Sequence, residues 1–183
     1  MSLKKGSKKK SEMGHFRNGS RKIITQNQAR LLEAVAARIF PATDTPGAIE
    51  AGAITYIERA LEGAYRPLLP KYRRGLRDLD SYARTSFGRS FLDLNEAQQD
   101  AILGEIEAGR AQGFRDGEEF FKLVRSHVLE GVFGEPSYGG NHDMVGWRLV
   151  GFPGQQFGYP DPYINKRVDL PLVAVDYTIA EQD

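Results

Sequence analysis

The sequence of 183 residues contains no cysteine. This absence excludes disulfides, thiolate metal sites, cysteine nucleophiles and cysteine-ligated iron–sulfur clusters. Apolar residues never run for the roughly 18 positions that a transmembrane helix needs, so the sequence predicts no direct membrane span. It also lacks the GxSxG, P-loop, GxGxxG and HExxH motifs, which are signatures of hydrolases, nucleotide-binding proteins and zinc enzymes.

Net charge is also nearly absent, since 25 Lys+Arg face 24 Asp+Glu. The balance is a cancellation: residues 1–22 hold eight basic residues and one acid, whereas residues 23–183 hold 17 basic and 23 acidic residues. The basic tail, residues 1–22, has almost no aliphatic side chains and is predicted to be disordered. Three interpretations of the tail stay open: a solvated or cloning-derived extension, a segment that contacts an acidic partner or membrane, and a targeting signal. A secretory signal would need an apolar stretch, which the tail lacks.

The length fits a single domain, and apolar residues at helical spacing predict an all-α, single-domain helical bundle of about five helices over residues 23–154. Three helix starts are predicted by the capping pairs Thr25/Gln28, Asn95/Gln98 and Asp116/Glu119. The second helix is predicted over residues 48–61, with the inward stripe Ile49, Ala53, Ile57 and Leu61. The third follows Pro67, with Tyr72, Leu76, Leu79, Tyr82 and Phe87 facing inward.

The composition changes at Gly131. From there to Pro162 the chain has eight glycines and four prolines, which forbids a long regular helix. The same stretch holds the only tryptophan, Trp147, among many aromatic residues, which indicates an ordered loop packed on something. One or two helical turns are predicted over residues 145–150, and residues 155–183 are predicted to form an extended C-terminal arm or an edge strand.

Candidate catalytic residues are few. His127 lies beside valines on the fifth helix and is predicted to be a core or boundary histidine. His142 and Asp143 are adjacent in the loop, but one histidine and scattered carboxylates do not make a metal site. Basic residues on the third helix are interrupted by acids, which argues against nucleic-acid binding. An enzyme or small-ligand binder that uses His127, Asn141, His142 or Asp143 beside the loop 138–154 stays an alternative.

The informative segment runs from Tyr138 to Gly154. Its glycines permit a close backbone approach, and its aromatic residues suit either a cap on the domain's own core or a buried protein–protein interface. From the residues alone the two readings are equal, and self-association through the same loop is a third. The residues predicted to bind a partner are Tyr138, Gly139, Gly140, Asn141, Trp147, Phe152 and Pro153.

Three pieces of the chain together resemble a known family, the gluconate 2-dehydrogenase subunit 3 family. The first is the helix and turn of residues 31–48, which ends Ile-Phe-Pro-Ala-Thr-Asp-Thr-Pro-Gly-Ala. The second is the helix of residues 120–133. The third is the loop Tyr-Gly-Gly-Asn … Gly-Trp … Gly-Phe-Pro-Gly, and the three span about residues 25–154.

The resemblance implies a small accessory subunit without a catalytic residue, cofactor or metal of its own. Family members resemble the partner of a glucose–methanol–choline-type flavoprotein large subunit, which binds FAD and oxidises a sugar or alcohol, often with a cytochrome c as electron acceptor. The small subunit stabilises the large one, and a twin-arginine signal exports the folded pair. Here the tail shows no twin-arginine pair, so we expect a periplasmic location if the chain is exported with its partner and a cytoplasmic one otherwise.

Overall fold

The computed structural model describes residues 23–154, which contain six α-helices and no β-strand. The helices are α1 (Gln26–Ile39), α2 (Ala53–Glu62), α3 (Leu69–Phe87), α4 (Glu96–Glu107), α5 (Gly117–Phe133) and α6 (Val145–Val150). Short 3-10 turns precede α3, α4 and α6. The predicted all-α fold is confirmed. The tail 1–22 and the arm 155–183 lie outside the described residues.

Two helix starts follow directly from local side-chain chemistry. The Thr25 hydroxyl accepts a hydrogen bond from the Gln28 backbone N–H, and the Gln28 side chain accepts one from the Thr25 N–H. Asn95 and Gln98 form the same reciprocal pair at the start of α4. Each pair satisfies two backbone donors that the first helical turn leaves free. Both capping predictions are confirmed.

The third capping prediction is wrong. Asp116 precedes α5 with φ +59°, in the left-handed region, and its side chain makes no capping hydrogen bond. A capping side chain requires an extended backbone at that position. The Asp116 carboxylate instead lies 3.0 Å from the Arg74 guanidinium of α3. A long-range ion pair therefore occupies the side chain that the local pattern assigned to the helix start.

The start predicted for α2 is five residues early. Residues 48–52 form a turn, because Gly52 adopts φ +73° and interrupts the helix before Ala53. The turn is tied to the end of α1 by a hydrogen bond from the Ala48 N–H to the Phe40 carbonyl (2.8 Å). Ile49, predicted to face inward, is exposed on this turn.

The inward face of α3 is confirmed for Tyr72, Leu76 and Leu79, which are fully buried. Tyr82 is half-buried. Phe87, also predicted to face inward, is exposed. It is the last residue of α3, and Gly88 (φ +70°) turns the chain away immediately afterwards, so no further turn of helix covers its ring.

Helix α5 lies at the centre of the bundle and contacts α1, α2, α3, α4 and α6. It lies close to α2 at Gly131, where a side-chain carbon would come within 2.7 Å of the Ala53 Cα. Small residues on both helices thus allow the two backbones to meet. Among residues 23–154, no helix is long and apolar enough to cross a membrane.

Candidate functional site

The loop after α5 is held by a buried asparagine. The Asn141 backbone N–H donates to the Gly131 carbonyl (2.7 Å), and its Nδ2 donates to the Gly134 carbonyl (2.9 Å). Its Oδ1 accepts from the Gly146 N–H (2.9 Å), and the residue is fully buried. Asn141 adopts φ +46°, a conformation that asparagine tolerates better than most residues. One side chain therefore joins the end of α5 to the start of α6.

The glycines of the loop permit direct contact between backbones. A Cβ at Gly140 would overlap the Gly131 carbonyl, and one at Gly146 would overlap the Val132 carbonyl. His142, which follows Asn141, donates its backbone N–H to the Ala51 carbonyl in the turn before α2 (3.0 Å). These contacts leave no room for larger side chains at either glycine, so the loop backbone is fixed against α5.

Trp147 belongs to the same buried set. Its indole is 5% exposed, and Nε1 donates to the Phe133 carbonyl at the end of α5 (2.8 Å). The Phe152 ring packs edge-on against it, with ring centroids 5.0 Å apart. The sequence left open whether the aromatic residues cap the domain's own core or form an interface. The Trp147 side chain lies against α5 and thus caps the domain's own core.

Other side chains of the loop face outward. We use the term exposed loop side chains for Tyr138, Leu149, Val150 and Phe152, which are 55%, 45%, 61% and 43% exposed. They are four of the seven large hydrophobic residues exposed within residues 23–154. Isolated exposed apolar residues are normal, whereas a concentration on one segment is typical of an interaction surface.

Tyr138 also lines an open groove against α2 and the turn that follows it. The groove has a volume of about 510 Å³ and is lined mainly by Tyr56, Arg59, Tyr65 and Tyr138. Gly139, with φ +95°, brings the loop so close to Arg59 that a side chain there would meet the guanidinium. Tyrosine and arginine are enriched in protein interfaces, so the groove extends the surface that Tyr138 begins.

A polar network lies behind this groove. The hydroxyls of Tyr56 and Tyr65 donate to Oε2 of Glu130 at 2.7 and 3.1 Å. Burial, followed by the hydrogen bond to Glu130, raises the pKa of Tyr56 well above its usual range. The carboxylate thereby holds both tyrosine rings in place. No local spacing in the sequence marks this group, since only the fold brings α2 and α5 together.

His127 completes the network as a structural residue. A hydrogen bond of 2.8 Å joins its Nδ1 to the Tyr72 hydroxyl, and the Tyr65 ring stacks on the imidazole with ring centroids 4.4 Å apart. Burial lowers the pKa of His127, although the Glu130 charge opposes this shift. Burial likewise raises the pKa of Tyr72. The prediction of a core or boundary histidine is confirmed.

The residues of the enzyme alternative do not form one constellation. The partners of His127 are tyrosines, and those of Asn141 are backbone groups of the loop and α5. His142 and Asp143 are exposed, the His142 ring resting against Gly52. Within residues 23–154 no three His, Asp or Glu side chains are grouped so as to hold a metal ion.

The described residues thus form an all-helical protein whose glycine-rich loop is fixed on the central helix α5. Four apolar side chains of this loop are exposed. The family model described as Gluconate 2-dehydrogenase subunit 3 matches residues 26–154. The chain belongs to this family, and the suspected resemblance is confirmed. The family is that of a subunit of a dehydrogenase complex, so membership suggests a small accessory subunit and implies partner subunits. No curated protein and no solved structure matched the chain.

Proposed function

We propose that the chain is a non-catalytic accessory subunit that binds and stabilises an FAD-dependent large subunit of the glucose–methanol–choline type. The observation that carries the proposal is the division within the loop. Asn141, Gly140 and Trp147 fix the loop backbone on α5, and the exposed loop side chains project from that rigid base. A preformed apolar surface loses little conformational entropy when a partner covers it, which favours tight association.

The seven residues predicted to bind the partner divide into two roles under this proposal. Tyr138 and Phe152 contact the large subunit directly. Gly139, Gly140, Asn141 and Trp147 act from behind, because they set the position of the exposed side chains. Pro153, half-buried, follows Phe152 and restricts the backbone there.

The rest of the complex is proposed from the family role. FAD is held by the large subunit and oxidises a sugar or alcohol, and a cytochrome c accepts the electrons. Export of the folded pair would place the complex in the periplasm. Neither cofactor nor catalytic residue is assigned to this chain, in keeping with the separate, structural partners of His127 and Asn141.

Co-expression with a glucose–methanol–choline-type flavoprotein tests the proposal. A tag on this chain should recover a stable complex that carries the yellow colour of oxidised flavin. Hydrogen–deuterium exchange should slow on complex formation at residues 138 and 149–152. A chain that stays monomeric and recovers no flavoprotein would contradict the proposal. A homo-oligomer with the same protected residues would instead support self-association through the loop.

A further inference from the structure

A second cavity lies between α3 and the start of α5 and shares no lining residue with the loop 138–154. Its volume is about 520 Å³, within the range of about 300–1,000 Å³ that is typical of small-molecule sites. The proposed function makes no use of it.

The floor of the cleft is apolar and aromatic. Phe114 and Phe120 are buried, with ring centroids 5.8 Å apart, and Leu123 is half-buried beside them. Gly75 of α3 faces the same floor, and a Cβ there would overlap the Phe120 ring. A glycine in the middle of a helix is unfavourable, but here it allows the ring to lie against the α3 backbone. The floor can pack against a flat apolar group.

The rim is mainly basic. It consists of Lys71, Arg74, Arg115 and Lys122, together with the acids Asp116 and Glu119. The cleft therefore carries an excess of positive charge, although residues 23–154 as a whole hold 15 basic and 18 acidic residues. A local charge opposite to that of the surrounding body attracts anions to this cleft in particular.

The ion pairs leave part of this basic charge available. Arg74 pairs with Asp116 at 3.0 Å, Lys71 approaches Glu119 at 4.0 Å, and Lys122 pairs with Glu118, which lies outside the cleft. Arg115 is exposed and takes part in no ion pair among residues 23–154. Its planar guanidinium can receive a carboxylate in a two-point contact.

We propose that the cleft between α3 and α5 is a binding site for a small aromatic carboxylate. The ring of the ligand packs on Phe114, Phe120 and Leu123, and its carboxylate pairs with Arg115, assisted by Lys122. The apolar floor selects against small hydrophilic anions, and the basic rim selects against neutral aromatic compounds. The site shares no residue with the loop 138–154 or with the groove beside Tyr138.

Calorimetric titration of the full chain with 2-naphthoate tests the site. We expect saturable one-to-one binding, and weakening of about tenfold or more in Arg115→Gln/Lys122→Gln, because hydrogen bonds between charged groups are among the strongest. Arg115→Gln alone should show a smaller loss in the same direction. Arg125→Gln is the matched control, since Arg125 is an exposed arginine of α5 that pairs with Glu107 outside the cleft.

Two further titrations separate ring from charge. Acetate supplies the carboxylate without the ring, and 2-naphthalenemethanol supplies the ring without the charge; both should bind at least about tenfold more weakly. The proposal is overturned if 2-naphthoate shows no saturable binding, if the double variant binds as well as the unmodified chain, or if Arg125→Gln loses as much affinity as the double variant.

Discussion

Two aromatic residues of the loop after α5, Trp147 and Phe152, contact each other but differ in their exposure to solvent. Trp147 is aromatic and lies almost wholly inside the protein, where its indole N–H is bonded to the Phe133 carbonyl. Phe152 packs against the same indole, yet 43% of it remains exposed. An aromatic residue in a glycine-rich loop is therefore not in itself an interface residue. Its burial and its hydrogen bonds within the chain decide which role it has.

Replacing Trp147 with Ala should give the largest loss of stability. The change removes a buried side chain and leaves a cavity, for which a cost of about 3–5 kcal/mol is usual. Urea unfolding of the isolated chain measures the difference. Phe87→Ala is the control, because that ring is exposed at the end of α3 and should change stability little. Equal stability of the Trp147 variant and the unmodified chain would show that Trp147 is not needed to hold the loop on α5.

Asn141→Ala should cost somewhat less, about 2–3 kcal/mol. The substitution leaves the Gly134 carbonyl and the Gly146 N–H without their buried partner, and each unsatisfied group is costly. Asn95→Ala provides a matched comparison, because Asn95 is an exposed N-cap whose loss costs about 1 kcal/mol. If the two variants unfold at the same urea concentration, Asn141 does not hold the loop.

Phe152→Ala should weaken binding and, because its ring also packs edge-on against Trp147, cost about 1–2 kcal/mol of stability. We expect an affinity for the flavoprotein large subunit weaker by about tenfold, about 1.4 kcal/mol, typical of an aromatic interface residue. Surface plasmon resonance against the immobilised large subunit measures this change. Leu129→Ala tests an exposed apolar residue of α5 outside the loop, and its affinity should be unaltered.

The smallest expected effect concerns pH. Burial lowers the pKa of His127 in the folded state below its value of about 6.5 in the unfolded chain. The unfolded chain then binds more protons between these two values, so the stability contribution is complete above pH ~6.5 and is lost as the pH falls toward the lower pKa. His127→Gln should flatten this part of the stability profile, as measured by urea unfolding at pH 5 to 7.5.

The matched control for the pH profile is His142→Gln, because the His142 side chain is exposed. The loss of stability at acid pH should persist in this variant, because it keeps His127. The carboxylates are the same in all three proteins, so a comparison of slopes isolates the histidine. If the steep loss of stability at acid pH persists in His127→Gln, another group causes it. The Tyr72–His127 pair would then not set the pH dependence of stability.

Local chemistry in the sequence accounts for a large part of the fold. The reciprocal capping pairs at Thr25 and Asn95 could be predicted because both partners lie within four residues of each other. The start of α5 could not, since Asp116 pairs with Arg74 across the bundle. Ile49 was misplaced for a related reason: the left-handed Gly52 ends the turn before the helical stripe begins.

In the candidate site, too, contacts between distant residues could not be predicted from the sequence. The sequence singled out the loop 138–154, but its periodicity could not tell which side chains face α5. That division depends on contacts such as Asn141 with Gly134 and Trp147 with Phe133. The groove beside Tyr138 and the carboxylate of Glu130 were missed entirely, because residues far apart in sequence form them.

Partner binding by the loop is tested most directly by the dissociation constant of the flavoprotein large subunit for the variant Tyr138→Ala/Phe152→Ala. The urea midpoint of the isolated variant is measured alongside it. We expect an affinity at least about tenfold weaker and only a small fall in the midpoint, because Asn141 and Trp147 still hold the loop. An unchanged dissociation constant would show that Tyr138 and Phe152 do not bind the large subunit.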